Sequence, residues 1–330
     1  MSNTSARKII DQHTVSRCYL KRFADANRKF FSFNKVHAKS SPWGTKIATI
    51  QEYFYDFHPT TLEDPNADVQ WVEKEFSRLE NQYEEVLAAA VCEADAGAIS
   101  YETGSSLAQF IALQWMRTEG RRAGILEIEQ KAMQAIIDKC YTENAPGVPP
   151  AKFIRGVGYE PVLHANLMFD EAAVIRSAEK FWDLYWIVGR NTTSQPFFTS
   201  DDPVVLDRIP PENDGPGVPP GIGIQYSFPL SSKFTLVMFD RHMFSRTADT
   251  NGENIERRTL DMVEANVERY NALQVAKSTQ YVFCEENKFV LAKRLCSEEP
   301  QICDPARSRE IVDATTLAVT ATGNSILLPE

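Results

Sequence analysis

Phe181-Trp-Asp-Leu-Tyr-Trp-Ile-Val188 marks a change of texture in this chain. Upstream, apolar residues recur at helical spacing. Downstream, aromatic and β-branched residues crowd into short runs, as strands require. Val69, Val72, Phe76, Leu79, Tyr83, Val86 and Ala90 alternate spacings of three and four, which predicts an amphipathic helix. A second helix is predicted from about Ser105 to Arg122, capped by Ser105 or Ser106. A third is predicted over about 124–143, with Ile125, Ile128, Met133, Ile136, Ile137 and Cys140 turned inward. Pro146-Gly-Val-Pro-Pro150 ends that run, and a further helix covers about 170–180.

From Phe181 onward, 181–188, 196–206 and 224–239 read as strands. The stretch from Ile209 to Gly223 holds five prolines and four glycines and reads as a long irregular loop. A late helix over about 252–276 and a strand from Gln280 to Cys284 follow. Near the N-terminus, Lys29–Phe33 and Tyr53–Phe57 are short β-like runs. Helices first and strands later, without βαβ alternation, predict an α+β fold: a helical middle section and a β-rich C-terminal half packed as one compact unit. Residues 1–298 are expected to form a single domain, helix-rich to about 180 and strand-rich over 181–284, and 299–330 a polar, loosely held tail.

The 330 residues are 43% hydrophobic, enough for a substantial core, and the net charge is −10. No global basic field attracts nucleic acid, so DNA or a nucleotide would have to engage local basic patches. Candidates are Arg7-Lys8, Lys21-Arg22, Arg28-Lys29, Arg121-Arg122 and Arg257-Arg258; solvated surface charge is the alternative. The six scattered cysteines contain no C-x-x-C pair, and the first residues carry no apolar signal region. No run approaches ~18 apolar residues. A cytoplasmic protein without a membrane partner is expected; its oligomeric state is left open.

Three signatures place polar groups among apolar neighbours: His13-Thr-Val-Ser-Arg-Cys-Tyr-Leu-Lys-Arg-Phe23, Gln114-Trp-Met-Arg117-Thr118, and Phe198-Thr-Ser-Asp201-Asp202-Pro203-Val204. At 100° per residue, Leu107, Phe110 and Ile111 mark an apolar helix face, and Gln114, Arg117, Thr118 and Arg121 continue it. An arginine on a buried stripe needs partners. It either floors an anion-binding pocket or forms a structural Arg–carboxylate pair. Ser16 is a credible N-cap, with Tyr19 and Arg22 on one face beyond it. His13 is a candidate acid/base or a structural hydrogen-bonder. In a strand, Asp201 and Asp202 point to opposite faces, so one inward carboxylate is expected, and Asp201 is favoured. An aspartate satisfying its own turn is the alternative.

Neither H-E-x-x-H nor H-x-H occurs among His13, His37, His58, His164 and His242, and no Walker, G-x-S-x-G or G-x-G-x-x-G motif is present. No metal or cofactor is therefore expected. Asp201, His13 and Asp202 are the catalytic candidates. Gln114, Arg117, Thr118, Arg121, Tyr19, Arg22, Ser200 and Asn271 are the substrate-binding ones. The leading expectation is a metal-independent hydrolase acting on nucleic acid or a nucleotide, of which N-glycosidic cleavage, as by a DNA glycosylase in antiviral defence, is one form. The alternatives are a metal-dependent nuclease or toxin effector using Asp201 and Asp202, and a non-enzymatic binding or sensor module presenting loop 209–223.

The series His13-x-Val15-x-x-x-Tyr19-Leu20-x-Arg22-Phe23, Gln114-x-x-Arg117-Thr118, Ser200-Asp201-x-Pro203-Val204, Phe228-Pro229-Leu230-Ser231 and Asn271 resembles a bacterial and fungal domain-of-unknown-function family over about residues 10–285. That family opens His-Tyr-Val-Pro-Gln-Phe-Tyr-Leu-Arg-x-Phe. Here Ser16 replaces the proline, Arg17 the glutamine, and Asp202 a position commonly asparagine, so no role of the glutamine carries over. The resemblance implies an α+β intracellular protein and supplies no activity.

Overall fold

The change of texture falls inside residues 181–188, at the end of a helix. In the computed structural model, which describes residues 9–58, 68–208, 223–241 and 255–308, helix α6 runs from Glu171 to Asp183 and strand β5 from Tyr185 to Asn191. Leu184 N–H bonds back to Phe181 O, and the Trp186 indole N–H donates to the same carbonyl at 2.7 Å. These bonds close the helix before extended backbone begins. Phe181 to Asp183 are therefore helical, a correction to the expected strand.

Eight α-helices and eleven strands are present among the described residues, and the fold is α+β, helical through its middle. Beyond α6 and β5 they are β1 (Asp11–His13), α1 (Arg17–Leu20), β2 (Lys29–Asn34), β3 (Lys39–Gly44), β4 (Ile50–Glu52), α2 (Trp71–Ala96), α3 (Tyr101–Arg117), α4 (Glu119–Asn144), α5 (Tyr159–Phe169), β6 (Thr199–Ser200), β7 (Val205–Arg208), β8 (Ile224–Pro229), β9 (Phe234–Phe239), β10 (Thr259–Met262), α7 (Glu264–Lys277), β11 (Tyr281–Cys284) and α8 (Val290–Glu298). A five-stranded sheet has the order β10-β5-β9-β8-β7 and is antiparallel except for the β10–β5 pair. A four-stranded antiparallel sheet has the order β3-β2-β11-β6, and β1 pairs with β4. One apolar core joins these parts: Tyr19 and Phe23, Leu87, Leu107 and Phe110, Trp186, Phe228 and Leu236, and Phe283 all belong to it.

Several boundaries differ from expectation, each for a local reason. The second helix starts at Tyr101, because Ser100 Oγ accepts the Thr103 amide at 3.2 Å. Its predecessor α2 ends at Gly97, whose φ of +115° is the left-handed turn that glycine takes without strain. Gly104 lets α3 lie flush on α6: a Cβ there would stand 2.7 Å from the Trp182 ring. The helix also stops at Arg117 rather than Arg122. Thr118 is extended, and its hydroxyl accepts the Arg121 amide at 3.1 Å to cap α4.

The inward face assigned to α4 is corrected as well. Ile136 and Cys140 are exposed, and the buried positions are Gly120, Gly124 and Glu129. Glu129 is held by Arg155 at 2.7 Å, and Gln134 binds the backbone of Ala151 and Phe153, so 151–155 packs back along the helix. Tyr53–Phe57 is a turn, not a strand: Tyr53 has φ +53°, and Gln12 Oε1 captures the Tyr55 amide at 2.6 Å. The late helix begins at Glu264, because Thr259–Met262 pairs with β5 as β10. The tail is tied down at least to Ser308. Ile302 is buried in a 3₁₀ turn over Pro300–Cys303, and Arg307 donates to Ala276 O and Ser278 O at 2.9 and 2.6 Å. Loop 209–222 lies outside the described residues.

Candidate functional site

The first and second signatures meet at the C-terminal half of α3. Gln114 Oε1 accepts the Ser16 amide at 3.0 Å, and its Nε2 lies 3.5 Å from Thr14 O. Arg117 donates to His13 O, and Tyr55 hydroxyl donates to Arg117 O at 2.9 Å. Glu80 on α2 completes the group. It stands 3.6 Å from the Arg117 guanidinium and accepts the Ser16 hydroxyl at 3.0 Å and the Arg17 amide at 3.3 Å. Ser16 thus sits at the N-cap of α1 while its hydroxyl serves Glu80 instead of the helix. Arg117 is 3% exposed, with its guanidinium 4.1 Å over the Phe76 ring.

This is the Arg–carboxylate pair weighed as the structural alternative. The hollow between Glu80, Gln114 and Arg117 measures only about 10 Å³, room for one water. His13 Nε2 is buried without a hydrogen-bond partner among the described residues, and burial lowers its pKa although Glu80 pulls it up. Glu80 has a sequence signal: it stands four residues after Phe76, on the apolar face of α2.

The third signature joins the first through Tyr19. Its fully buried hydroxyl lies 2.7 Å from Thr199 Oγ1 and donates to Pro229 O at 2.9 Å, and its ring stacks on Phe228 at 4.8 Å. Arg22 donates to Glu84 O at 3.1 Å. Helix α7 fixes the 196–203 segment by two amides. Asn271 accepts the Phe198 amide at 2.7 Å and donates to Pro196 O at 2.9 Å. Gln274, which sequence reasoning missed, takes up Ser200 Oγ at 2.7 Å and donates to Pro203 O at 2.9 Å.

The two aspartates then part. Strand β6 is only Thr199–Ser200, so period-two alternation does not reach them. Asp201 turns into the α7–β11 connection, where its carboxylate accepts the amides of Thr279, Gln280 and Tyr281, each at 2.7 Å. Burial raises its pKa against the pull of these amides and of Lys35. Lys35 is itself buried, donating to Val275 O, Ser278 O and Ile302 O at 2.7–2.9 Å, and burial brings its pKa down to about 8. Asp202 points the other way and accepts the Thr118 hydroxyl at 3.1 Å, so the second and third signatures meet there.

Asp202 and Arg121 line a cleft of about 330 Å³. Gly120 and Gly124 of α4, one turn apart, also line it. Lys277, Glu299 and Arg307 line it as well. The lining therefore carries three cationic and two anionic side chains. Arg121 lies 3.8 Å over the Trp115 ring, and its Nε is buried without a hydrogen-bond partner among the described residues. Burial lowers its pKa, opposed by Tyr226 and Asp202. The cleft can thus hold an anionic group beside a carboxylate.

Two other basic pairs have local partners, and Arg28 and Lys29 are exposed. Lys21 pairs with Glu84 at 2.8 Å, and Arg257 lies over Trp182; Arg7 and Lys8 are outside the described residues. Among the described residues no group of three or more His, Cys, Asp or Glu could hold a metal ion, and no helix is long and apolar enough to cross a membrane.

Comparison with curated proteins and with solved structures gave no match. A family model described as "Protein of unknown function (DUF4238)" matches residues 11–288. With most of its length matched, and with the α+β core just described inside the matched span, the chain belongs to the DUF4238 family.

Proposed function

We propose that the cleft binds a nucleotide, or the phosphate-bearing end of a nucleic acid, and hydrolyses it without a metal, with Asp202 as the reactive carboxylate. The observation that carries this reading is that Asp202, from the third signature, and Arg121, three residues beyond the second, line one cleft of ligand size. Arg121 and Lys277 would hold the phosphate, and Asp202, oriented by the Thr118 hydroxyl, would activate water or stabilise a cationic sugar. Asp201 is replaced in this role because both its oxygens already accept backbone amides. His13 is not among the cleft-lining residues, and the proposal gives it no catalytic part. The net charge of −10 favours a small nucleotide over a long strand. N-glycosidic cleavage in antiviral defence is the finer form of the proposal.

A non-enzymatic binding module is the second reading, favoured by how many signature side chains serve as hydrogen-bonding struts. Full-length protein incubated with nucleotides, DNA and RNA, with and without EDTA, separates the readings. Release of free base or phosphate that survives EDTA, and falls roughly 10²- to 10⁴-fold in Asp202→Asn, is expected. EDTA-sensitive nicking would instead support a metal nuclease, and saturable binding without turnover the binding module.

A further inference from the structure

Three consecutive residues, Val204, Val205 and Leu206, line the cleft. Successive side chains of a strand point to opposite faces, so what these three share is the edge of β7. The sheet order β10-β5-β9-β8-β7 puts β7 last, with β8 on its inner edge and no strand on its outer edge among the described residues. The bonding phase tells which groups the outer edge carries. Ile224 O accepts the Asp240 amide at 3.0 Å and Leu230 N–H donates to Phe234 O at 2.8 Å, so the even-numbered residues of β8 bond to β9. Gln225 and Ser227 therefore bond to β7, where they stand opposite Asp207 and Val205. Leu206, between those two, directs its N–H and C=O outward, to the side of the cleft. Upstream the edge is closed: Pro203 has no N–H, and its carbonyl accepts the Gln274 side chain at 2.9 Å.

We propose that this edge reads the base of the nucleotide: Leu206 N–H and C=O pair with one acceptor and one donor of the base, while Arg121 and Lys277 hold the phosphate. The inference rests on the nucleotide reading of the cleft and adds the base to the phosphate. Each nucleobase carries a donor beside an acceptor on a planar edge, the complement of one outward strand residue. A ring bonded edge-on to a strand lies near the plane of the sheet, between the layers that cover its two faces. Leu206 pairs with Tyr226, whose ring centroid is 6.3 Å from that of Trp115, so Trp115 belongs to the layer on one face. Val205 points to the other face, where Val237 packs with Val267 and Tyr270 of α7. Trp115 and Ala276 of α7 both line the cleft, so each layer supplies an apolar side chain for the base. An extended peptide also bonds to strand edges. Leu206 is the one outward-facing residue of β7 that lines the cleft, and a single donor–acceptor pair suits a base better than a ladder.

Calorimetric titration of full-length protein with the four ribonucleoside monophosphates, ribose phosphate and inorganic phosphate separates base from phosphate. At least one nucleotide should bind about 10-fold or more tightly than ribose phosphate, the worth of one to two hydrogen bonds. That nucleotide should shift the Leu206 amide signal in NMR spectra and slow its hydrogen exchange, and ribose phosphate should do neither. Leu206→Pro removes the outward N–H and spares the ladder to β8. In that variant the ratio of nucleotide to ribose phosphate affinity should fall toward one. If the variant fails to fold, the amide readout in the wild type decides. Ribose phosphate binding as tightly as every nucleotide, or a Leu206 amide that no nucleotide moves, would overturn base reading and leave the phosphate site standing. No binding of any of these phosphates would overturn the nucleotide reading and this inference with it. Slowed exchange at Leu206 with an extended acidic peptide, and none with nucleotide, would assign the edge to a peptide instead.

Discussion

Adjacent residues at the Ser200–Pro203 turn meet different physical demands. Asp201 neutralises three converging amides that would otherwise be buried donors without acceptors; Asp202 keeps one face toward the cleft. The sequence motif marked both as unusual, yet strand alternation could not tell them apart, because the strand before them is two residues long. Glu80 and Gln274 were legible only in retrospect, as polar groups on otherwise apolar helix faces. His164 shows the same principle with a titratable ring. It is 1% exposed, receives the Arg122 Nε–H at Nδ1 (2.8 Å) and lies 2.6 Å from Met116 O through Nε2. Burial, then Arg122, bring its pKa down from 6.5 to about 3. Between these values the unfolded chain binds a proton that the folded chain does not, so stability must fall as pH drops from about 6.5 toward 3. Chemical denaturation across that range should show a loss of up to about 1.4 kcal/mol per pH unit from this group. His164→Gln should flatten the slope.

Helix ends, more than helix interiors, position the site. The periodicity of α2 and α3 was plain in the sequence, because each buries one continuous stripe. The break at Thr118 was not, because Gln114, Arg117, Thr118 and Arg121 project onto one face of an unbroken helix. Thr118 ends α3, caps α4 and donates to Asp202. Thr118→Ala should therefore cost about 1 kcal/mol in stability from the lost cap, and should weaken nucleotide binding beyond that cost. Thr118→Ser should restore both, measured by thermal melting and calorimetric titration. The C-terminal end of α7 is the second such element. Lys35 and Arg307 bind its last carbonyls, as cations do where the helix dipole is negative. Composition made the segment after Glu298 look like a loose tail, because its few anchors, Ile302 and Arg307, are single residues in a polar stretch. A chain ending at Glu298 should be less stable by about 2–4 kcal/mol, from the lost Ile302 burial and the uncapped carbonyls. An unchanged denaturation midpoint would contradict that anchoring.

Across the whole molecule, the α+β class was readable from the order of textures, since helical and strand periods are local properties. Sheet order was not. β10 joins β5 in parallel, and β11 inserts between β2 and β6, pairings between segments far apart in sequence that no short window encodes. What holds these distant parts together is the polar framework of the three signatures: Gln114 with Ser16, Tyr19 with Thr199 and Pro229, Asn271 with the 196–198 backbone, and Asp201 with the start of β11. Most of what reads as an active site in the sequence is structural, and Asp202 with Arg121 is the part turned toward a ligand-sized space. Thermal denaturation of Asp201→Asn beside Asp202→Asn tests this division most directly. Asp201→Asn, which removes a buried charge from three amides, should lose about 2–4 kcal/mol of stability and melt well below wild type, while Asp202→Asn should melt within a few degrees of it. Equal melting temperatures for the two variants, or a larger loss in Asp202→Asn, would contradict the account.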